Sequence, residues 1–494
     1  MSLTGPSPRP ARHAPPPAPA PTARPESPAT TTAILAALPH ASIADLPLRG
    51  ELPATTEGLA IGLVMRLGDL LAASGLSVND TIATMRRVCH AYGLSRAQID
   101  ITTFKVTVSY YPGGGVTPVT VMRTVSPTVP NLSQVAAANN LVRRIVAGLP
   151  LDDAIARFDA LRVARPPYPA WVAFLAAGSI SVAVQLLFTT SPRLLLVAWI
   201  TGILLNRFLA LLAHFDLPPF FRQLLGGWFV VGLAVLFSWI NRSGHPGFLV
   251  GLSPTLVAVG CVYQLVVGMK FVGAMQDAID GFYVTASARL LQVAMETGGI
   301  VVGLVTGLGL AAYAGEGVYL SATLASFGPL PAQYAGAGLL AVVFVIGSYA
   351  DLRTIVLSGG ASLLAWFGFA VSAQAGAGPV LANFAGAAAA AFAATLIVRR
   401  TRLPGFAVVN AAIVALVPGL RLYYGVVWLV GTPTMAADTA TGWSYIGLAA
   451  AISLAIAAGA SLGTYVGRPI GDRVMGWPLA WYARLRARHD GEPG

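Results

Sequence analysis

Between Gly268 and Arg289 the chain reads GMKFVGAMQDAIDGFYVTASAR, two carboxylates and two cations in a protein of which only 10% of residues are charged. Asp277 and Asp280 are spaced i, i+3, so on a helix they share a face. Lys270 stands seven residues before Asp277, and Arg289 seven before Glu296. On a helix each couple returns to nearly the same side and reads as a cation–carboxylate pair. Such groups can hold charged partners: a cation or helix N-terminus binds a carboxylate, and a carboxylate accepts from an ammonium. A carboxylate near a membrane can also carry a proton, because burial favours its neutral form. The competing reading is a solvated connection whose charges only fix topology.

The stretch has an echo. Leu265 to Phe271 (LVVGMKF) aligns with Leu416 to Leu422 (LVPGLRL), each with Leu-Val, a glycine at the fourth place, and a cation between two apolar residues. Upstream, SPTLVAVG (253–260) and LPGFAVVN (403–410) both open an apolar run with proline. Pro418 removes a backbone donor and Gly419 relaxes the dihedral restraint, so Val417-Pro418-Gly419 is a candidate helix break where a freed backbone group can hold substrate. An ordinary proline kink is the alternative. Arg421 follows, with Asn410, Tyr423 and Tyr424 as candidate polar neighbours. Ionisable groups inside spans are costly, which makes Glu296, Arg207 and Arg421 suspects; Arg207 can instead snorkel to the membrane surface. Gly299, Gly303 and Gly307 make a flat helix face for close packing.

The elements that must position these residues are membrane helices. The chain has 494 residues, 55% of them hydrophobic, and a mean hydropathy of +0.70. Apolar runs near 170–189, 194–213, 220–240, 248–269, 291–313, 333–350, 354–373, 379–398, 406–430 and 443–466 are each near the ~20 residues a bilayer-spanning helix needs. The expected fold is a polytopic α-helical membrane protein of about ten spans in two five-helix repeats. An odd number of spans per repeat inverts the second relative to the first. Residues 1–54 form a Pro/Ala-rich arm, expected to be disordered, with no apolar segment of a secretory signal. Residues 55–166 read as a small α+β domain: two helices, a hairpin around Pro112-Gly113-Gly114-Gly115, and two more helices. Residues 167–315 and 316–467 are the two membrane modules, and 468–494 a tail. Arg162, Arg165, Arg222, Lys270, Arg289, Arg353, Arg399, Arg400, Arg402, Arg468 and Arg473 fall on one side, against Arg193 and Arg242 on the other. The positive-inside rule then puts both termini, the α+β domain and the tail on the cytoplasmic side of the membrane, expected to be an inner (cytoplasmic) membrane.

The same bias accounts for the net charge of +11 without nucleic acid. Cys89 and Cys261 indicate no disulfide framework, and the six histidines have no metal-ligand spacing. No nucleophile elbow, metal box or phosphate loop is present, so neither enzyme chemistry, nor a cofactor, nor ATP-driven export is expected.

An α+β segment ahead of about ten spans, MQDAIDGFYVTASARLLQVAMETGGIVVGL after the fourth span and LVPGLRLYYG in the ninth resemble the bacterial threonine/serine exporter family. The resemblance runs from about 57 to 466 and is most specific at Asp277, Asp280, Gly281, Ala288, Arg289, Pro418 and Gly419. NDTIATMRRVCHAYG resembles the helix that opens the family's soluble module, but SGLSVND replaces the acidic residue often ahead of it. The resemblance implies secondary, proton-motive-force-driven export of threonine or serine. Its substrate-binding or coupling residues are expected among Lys270, Asp277, Asp280, Arg289, Glu296, Asn410, Pro418, Gly419 and Arg421. Export of a dicarboxylate such as succinate, and a membrane-tethered hydrolase or sensor, stand as alternatives. Whether the protein forms a homo-oligomer is open.

Overall fold

The computed structural model describes residues 55–102, 105–112, 117–125, 131–242, 252, 254–265, 268–315, 326–401, 405–430 and 437–489. The expected disordered arm and the three turn glycines after Pro112 lie outside the described residues.

The first helix, α1 (Thr56–Ala73), is capped by the Thr55 hydroxyl, which accepts from the Gly58 N–H. In α2 (Val78–Ala91) the cap is Ser77 rather than Asn79: its extended backbone lets Oγ accept from the Asp80 N–H at 3.1 Å. Gly93, at φ 76°, follows the end of α2 in a conformation that favours glycine. The run read as one arm of a hairpin is two strands. β1 (Ala97–Thr102), β2 (Lys105–Tyr110) and β3 (Val119–Thr124) form an antiparallel meander, with Ala97 opposite Tyr110 and Lys105 opposite Thr124. Strand alternation points Val106, Val108 and Tyr110 inward. With Met65, Leu67, Met85, Val142 from α3 (Leu132–Val146) and Phe158 from α4 (Leu151–Val163), they form one continuous core.

The apolar remainder is helical: α5 (Ala170–Gly178), α6 (Ile180–Leu186), α7 (Pro192–Leu212), α8 (Pro219–Arg242), α9 (Pro254–Leu265), α10 (Gly268–Ile279), α11 (Tyr283–Tyr313), α12 (Leu330–Gly347), α13 (Leu352–Gln374), α14 (Pro379–Thr401), α15 (Gly405–Ile413), α16 (Gly419–Val430) and α17 (Thr439–His489). Proline opens several of them, where its missing N–H costs nothing. Large apolar side chains such as Trp199, Trp239 and Phe367 face outward, as lipid-facing residues do. Seven helices are long and apolar enough to cross a membrane, and an eighth span results if α9 and α10 are joined across their 42° bend. The protein is therefore a multi-pass membrane protein. Ten uninterrupted spans are not seen among the described residues. The runs expected as spans at 170–189, 248–269 and 406–430 are interrupted, and the segment 270–290, expected between spans, is mostly helix.

The interruption within 406–430 has a local cause. A 3-10 turn, Val414–Leu416, leads to Val417 in extended backbone (ψ 128°), because a residue before proline is pushed out of the α region. Helix α16 restarts at Gly419. The Val414 carbonyl accepts from the Tyr263 hydroxyl of α9 at 2.8 Å. At Gly178, the last residue of α5, the carbonyl accepts from Gln264 Nε2 at 3.2 Å. Thus α9 donates to the backbone at both other interruptions.

Helix packing recurs along the chain. α8 packs along α11, and α14 along α17. A Cβ on Gly303 would run into the Leu224 carbonyl, and one on Gly459 into the Phe384 carbonyl, so both pairs approach backbone to backbone. α10 crosses to α17 and α16 crosses to α11. Phe271 and Leu422, which occupy matching places in the echoed stretches, meet in one apolar cluster with Val293 and Ala449. The α+β segment is held to the membrane helices by backbone bonds and by packing. Leu132 and Ser133 N–H donate to the Ser348 and Tyr349 carbonyls at 2.8 and 3.2 Å. Phe282, in the α10–α11 turn, packs on the core of the segment.

Candidate functional site

Gly281 (φ 89°) reverses the chain between α10 and α11, which become an antiparallel hairpin. This changes the ion pairs the spacing suggested. Residues seven apart on one helix are separated by about 10 Å of rise, whereas an antiparallel neighbour stands directly opposite. Lys270 Nζ accordingly meets Glu296 Oε1 and Oε2 at 2.7 and 2.8 Å, and Arg289 Nη1 meets Asp277 Oδ2 at 2.5 Å. Both pairs are centred on Tyr283. Gln292 Nε2 donates to Glu296 Oε1 at 2.7 Å.

The two carboxylates face different surroundings. Glu296 is buried, its side chain 4% exposed, while the Lys270 side chain is 50% exposed. The pair therefore has a wet cationic end and a dry anionic end. Asp277 is fully buried. Its Oδ1 makes no hydrogen bond among the described residues, and the backbone N–H of Val78, at the start of α2, approaches the carboxylate.

In front of these pairs lies a cavity of about 1090 Å³. The α1–α2 turn and one face of α2 form one wall; α10, α11, α15 and α17 form the other. Four of the residues expected from sequence line it: Lys270, Asp280, Arg289 and Asn410. Asp277 and Glu296 lie behind that lining, each tied to a cation that reaches the cavity. Pro418 and Gly419 are buried at the helix interruption. Arg421 is not among the lining residues. It sits in the first turn of α16, beside Tyr445 of α17. Asn410 lines the cavity, and the side chain of Tyr423 lies outside the described residues. Arg207 is exposed, and Asn206 Nδ2 donates to the Phe174 carbonyl at 3.2 Å.

Sequence reasoning missed Gln292, Gln264 and Tyr263, and the polar face of α2. The glutamines carried a signal, a polar group inside an apolar run. Asp80, Thr84 and Arg87 carried another, the i, i+4, i+7 spacing of one helix face.

Residues 62–311 match a family model described as a threonine/serine exporter, and residues 333–466 match a second, "Threonine/Serine exporter, ThrE". The chain belongs to the threonine/serine exporter family. The first match takes in most of the α+β segment and every helix through most of α11; the second runs from α12 into α17. A Mycobacterium tuberculosis protein named "Probable threonine/serine exporter" is 32% identical over 441 residues, covering 86% of this chain and 81% of that one. The "Threonine/serine exporter" of Corynebacterium glutamicum is 30% identical over 450 residues, covering 89% of this chain and 88% of that one. No solved structure matches the chain. The family is one of transporters, not enzymes, so the cavity and the ion pairs behind it are features of a transport protein.

Proposed function

We propose that this family member is a secondary active exporter of threonine, serine or a similarly small zwitterionic amino acid, driven by protons moving the opposite way. The observation that carries the reading is the Lys270–Glu296 pair, exposed to the cavity at its cationic end and dry at the other. It stands in the first turn of α10, where the path through an interrupted helix would pass. The one-sided distribution of arginine supports a cytoplasmic side for the cavity and both termini, at the inner membrane. The recurring helix packing and the crossing of α10 and α16 support two inverted five-helix repeats, which would place the substrate route where α10, α11, α16 and α17 interlock.

The chemistry follows from competition for one cation. A substrate carboxylate arriving from the cavity binds the Lys270 ammonium and displaces Glu296. A carboxylate left buried without its cation takes up a proton. Substrate binding and proton binding are thereby linked at one place. Asp277 and Asp280, the carriers suggested by the sequence, fit that role less well: Asp277 is held by Arg289 and faces α2, and Asp280 lines the open cavity. A dicarboxylate would need a second cation beside Lys270, and Arg289 is held by the fully buried Asp277. The test is uptake of labelled threonine into inverted membrane vesicles under an imposed pH gradient. Wild type responds to the gradient; Glu296→Gln exchanges substrate but does not. A Glu296→Gln protein with the full gradient response overturns the coupling.

A further inference from the structure

The α+β segment supplies a whole wall of the cavity, and the side chains on that wall have a definite composition. Asp80, Ala83, Thr84 and Arg87 of α2 all line it, and their i, i+3, i+4, i+7 spacing is one helix face. The Asp80 carboxylate makes no hydrogen bond or ion pair among the described residues; the local bond runs from its backbone N–H to Ser77 Oγ. The Arg87 guanidinium folds back along the helix, Nη2 donating to Thr84 Oγ1 at 2.9 Å, and has no carboxylate partner among the described residues. Thr84 Oγ1 is itself spent on the Asp80 carbonyl at 2.8 Å. One face of α2 thus presents an unpaired carboxylate and an unpaired guanidinium about two turns apart along the backbone, with the guanidinium drawn back toward the carboxylate.

Across the cavity the balance differs. The cations of α10 and α11 are already matched, Lys270 to Glu296 and Arg289 to Asp277. The α2 face therefore offers a zwitterion in the cavity two charges that no described residue already pairs. We propose that this face is a capture site for zwitterionic α-amino acids. Asp80 accepts from the α-ammonium, and Arg87 donates to the carboxylate before the carboxylate passes to Lys270. The α+β segment is then part of the transport path. It selects substrates carrying both charges over hydroxy acids that lack the ammonium. The inference rests on the exporter reading above, and the segment is fixed in place for it by the Leu132–Ser348 and Ser133–Tyr349 backbone bonds.

The experiment measures KM for labelled threonine on each side of the membrane. Inverted vesicles present the α2 face to the bath; proteoliposomes of the opposite orientation present the other side. Asp80→Asn should raise KM roughly tenfold in inverted vesicles, the loss of one charge-assisted contact. KM from the opposite side should not move, and Asp80→Glu should restore the wild-type value. A 2-hydroxy acid of the same size should compete poorly against wild type and relatively better against Asp80→Asn. An unchanged KM in inverted vesicles, or an equal rise on both sides, overturns the capture site. Wild-type vesicles that move no threonine or serine would instead overturn the exporter reading.

Discussion

Asp277 and Glu296 are both buried carboxylates with a cation at hydrogen-bond distance, yet their surroundings differ. Asp277 is sealed between α10, α11 and the first turn of α2, so its loss strikes the docking of the α+β segment. Replacing one partner of a buried pair strands the other and costs about 3–5 kcal/mol, whereas replacing both by apolar groups is far less damaging. Asp277→Ala should therefore lower the thermal unfolding temperature in detergent strongly, and the double change Asp277→Leu, Arg289→Met should recover much of it. Equal losses in the single and double variants would show that the ion pair does not hold the hairpin. These residues were legible in the sequence; their partners were not. Spacing along one helix suggested Lys270 with Asp277 and Arg289 with Glu296. The left-handed residue Gly281 makes the chain turn back, and only the turned chain sets Lys270 opposite Glu296. The polar face of α2 was overlooked for another reason. Asp80 and Arg87 are ordinary on a surface helix, and become unusual only when the membrane helices close a cavity over them.

At the scale of elements, interruptions and close approaches decide how the helices can sit. The break at Val417-Pro418-Gly419 was legible because proline acts locally and needs no tertiary context. The interruption at Ser179 carried no such residue, and shows only in the carbonyls that Gln264 and Asn206 satisfy. Likewise, 270–290 looked like a connection because its charges lower the average hydropathy, although they pair across a hairpin. Glycine on α11 has two meanings. Gly303 meets the Leu224 backbone, while Gly309 has open space around it. Gly303→Ala should destabilise by about 1–3 kcal/mol through overpacking, and Gly309→Ala should be neutral or gain up to about 1 kcal/mol of helix propensity. Unfolding by denaturant in detergent compares the two; equal effects would contradict the close packing of α8 on α11. The start of α17 has a titratable cap. The Thr441 hydroxyl and N–H, and then the Ala440 N–H, hold the Asp438 carboxyl below its ordinary value. A group depressed in the folded state stabilises above its unfolded pKa and loses that contribution as pH falls through the depressed value. Amide exchange at Ala440 and Thr441 should thus be slow near neutrality and lose its extra protection only in acid. Asp438→Asn should remove that acid step; an unchanged step would exclude the cap as its cause.

Over the whole molecule, the proposed coupling rests on one arrangement. The α+β segment closes the cavity on one side, and α10, α11, α15 and α17 close it on the other. The Lys270–Glu296 pair lies where these parts meet. If that pair exchanges its carboxylate for the substrate's, protons must move whenever substrate does. The direct test is simultaneous recording of labelled threonine and internal pH in proteoliposomes loaded with threonine and given no imposed gradient. In wild type, threonine leaving down its own gradient should draw protons in the opposite direction. In Glu296→Gln, threonine should still leave while the internal pH stays flat. Proton movement in Glu296→Gln equal to that of wild type, at equal threonine flux, would contradict the assignment of coupling to this pair.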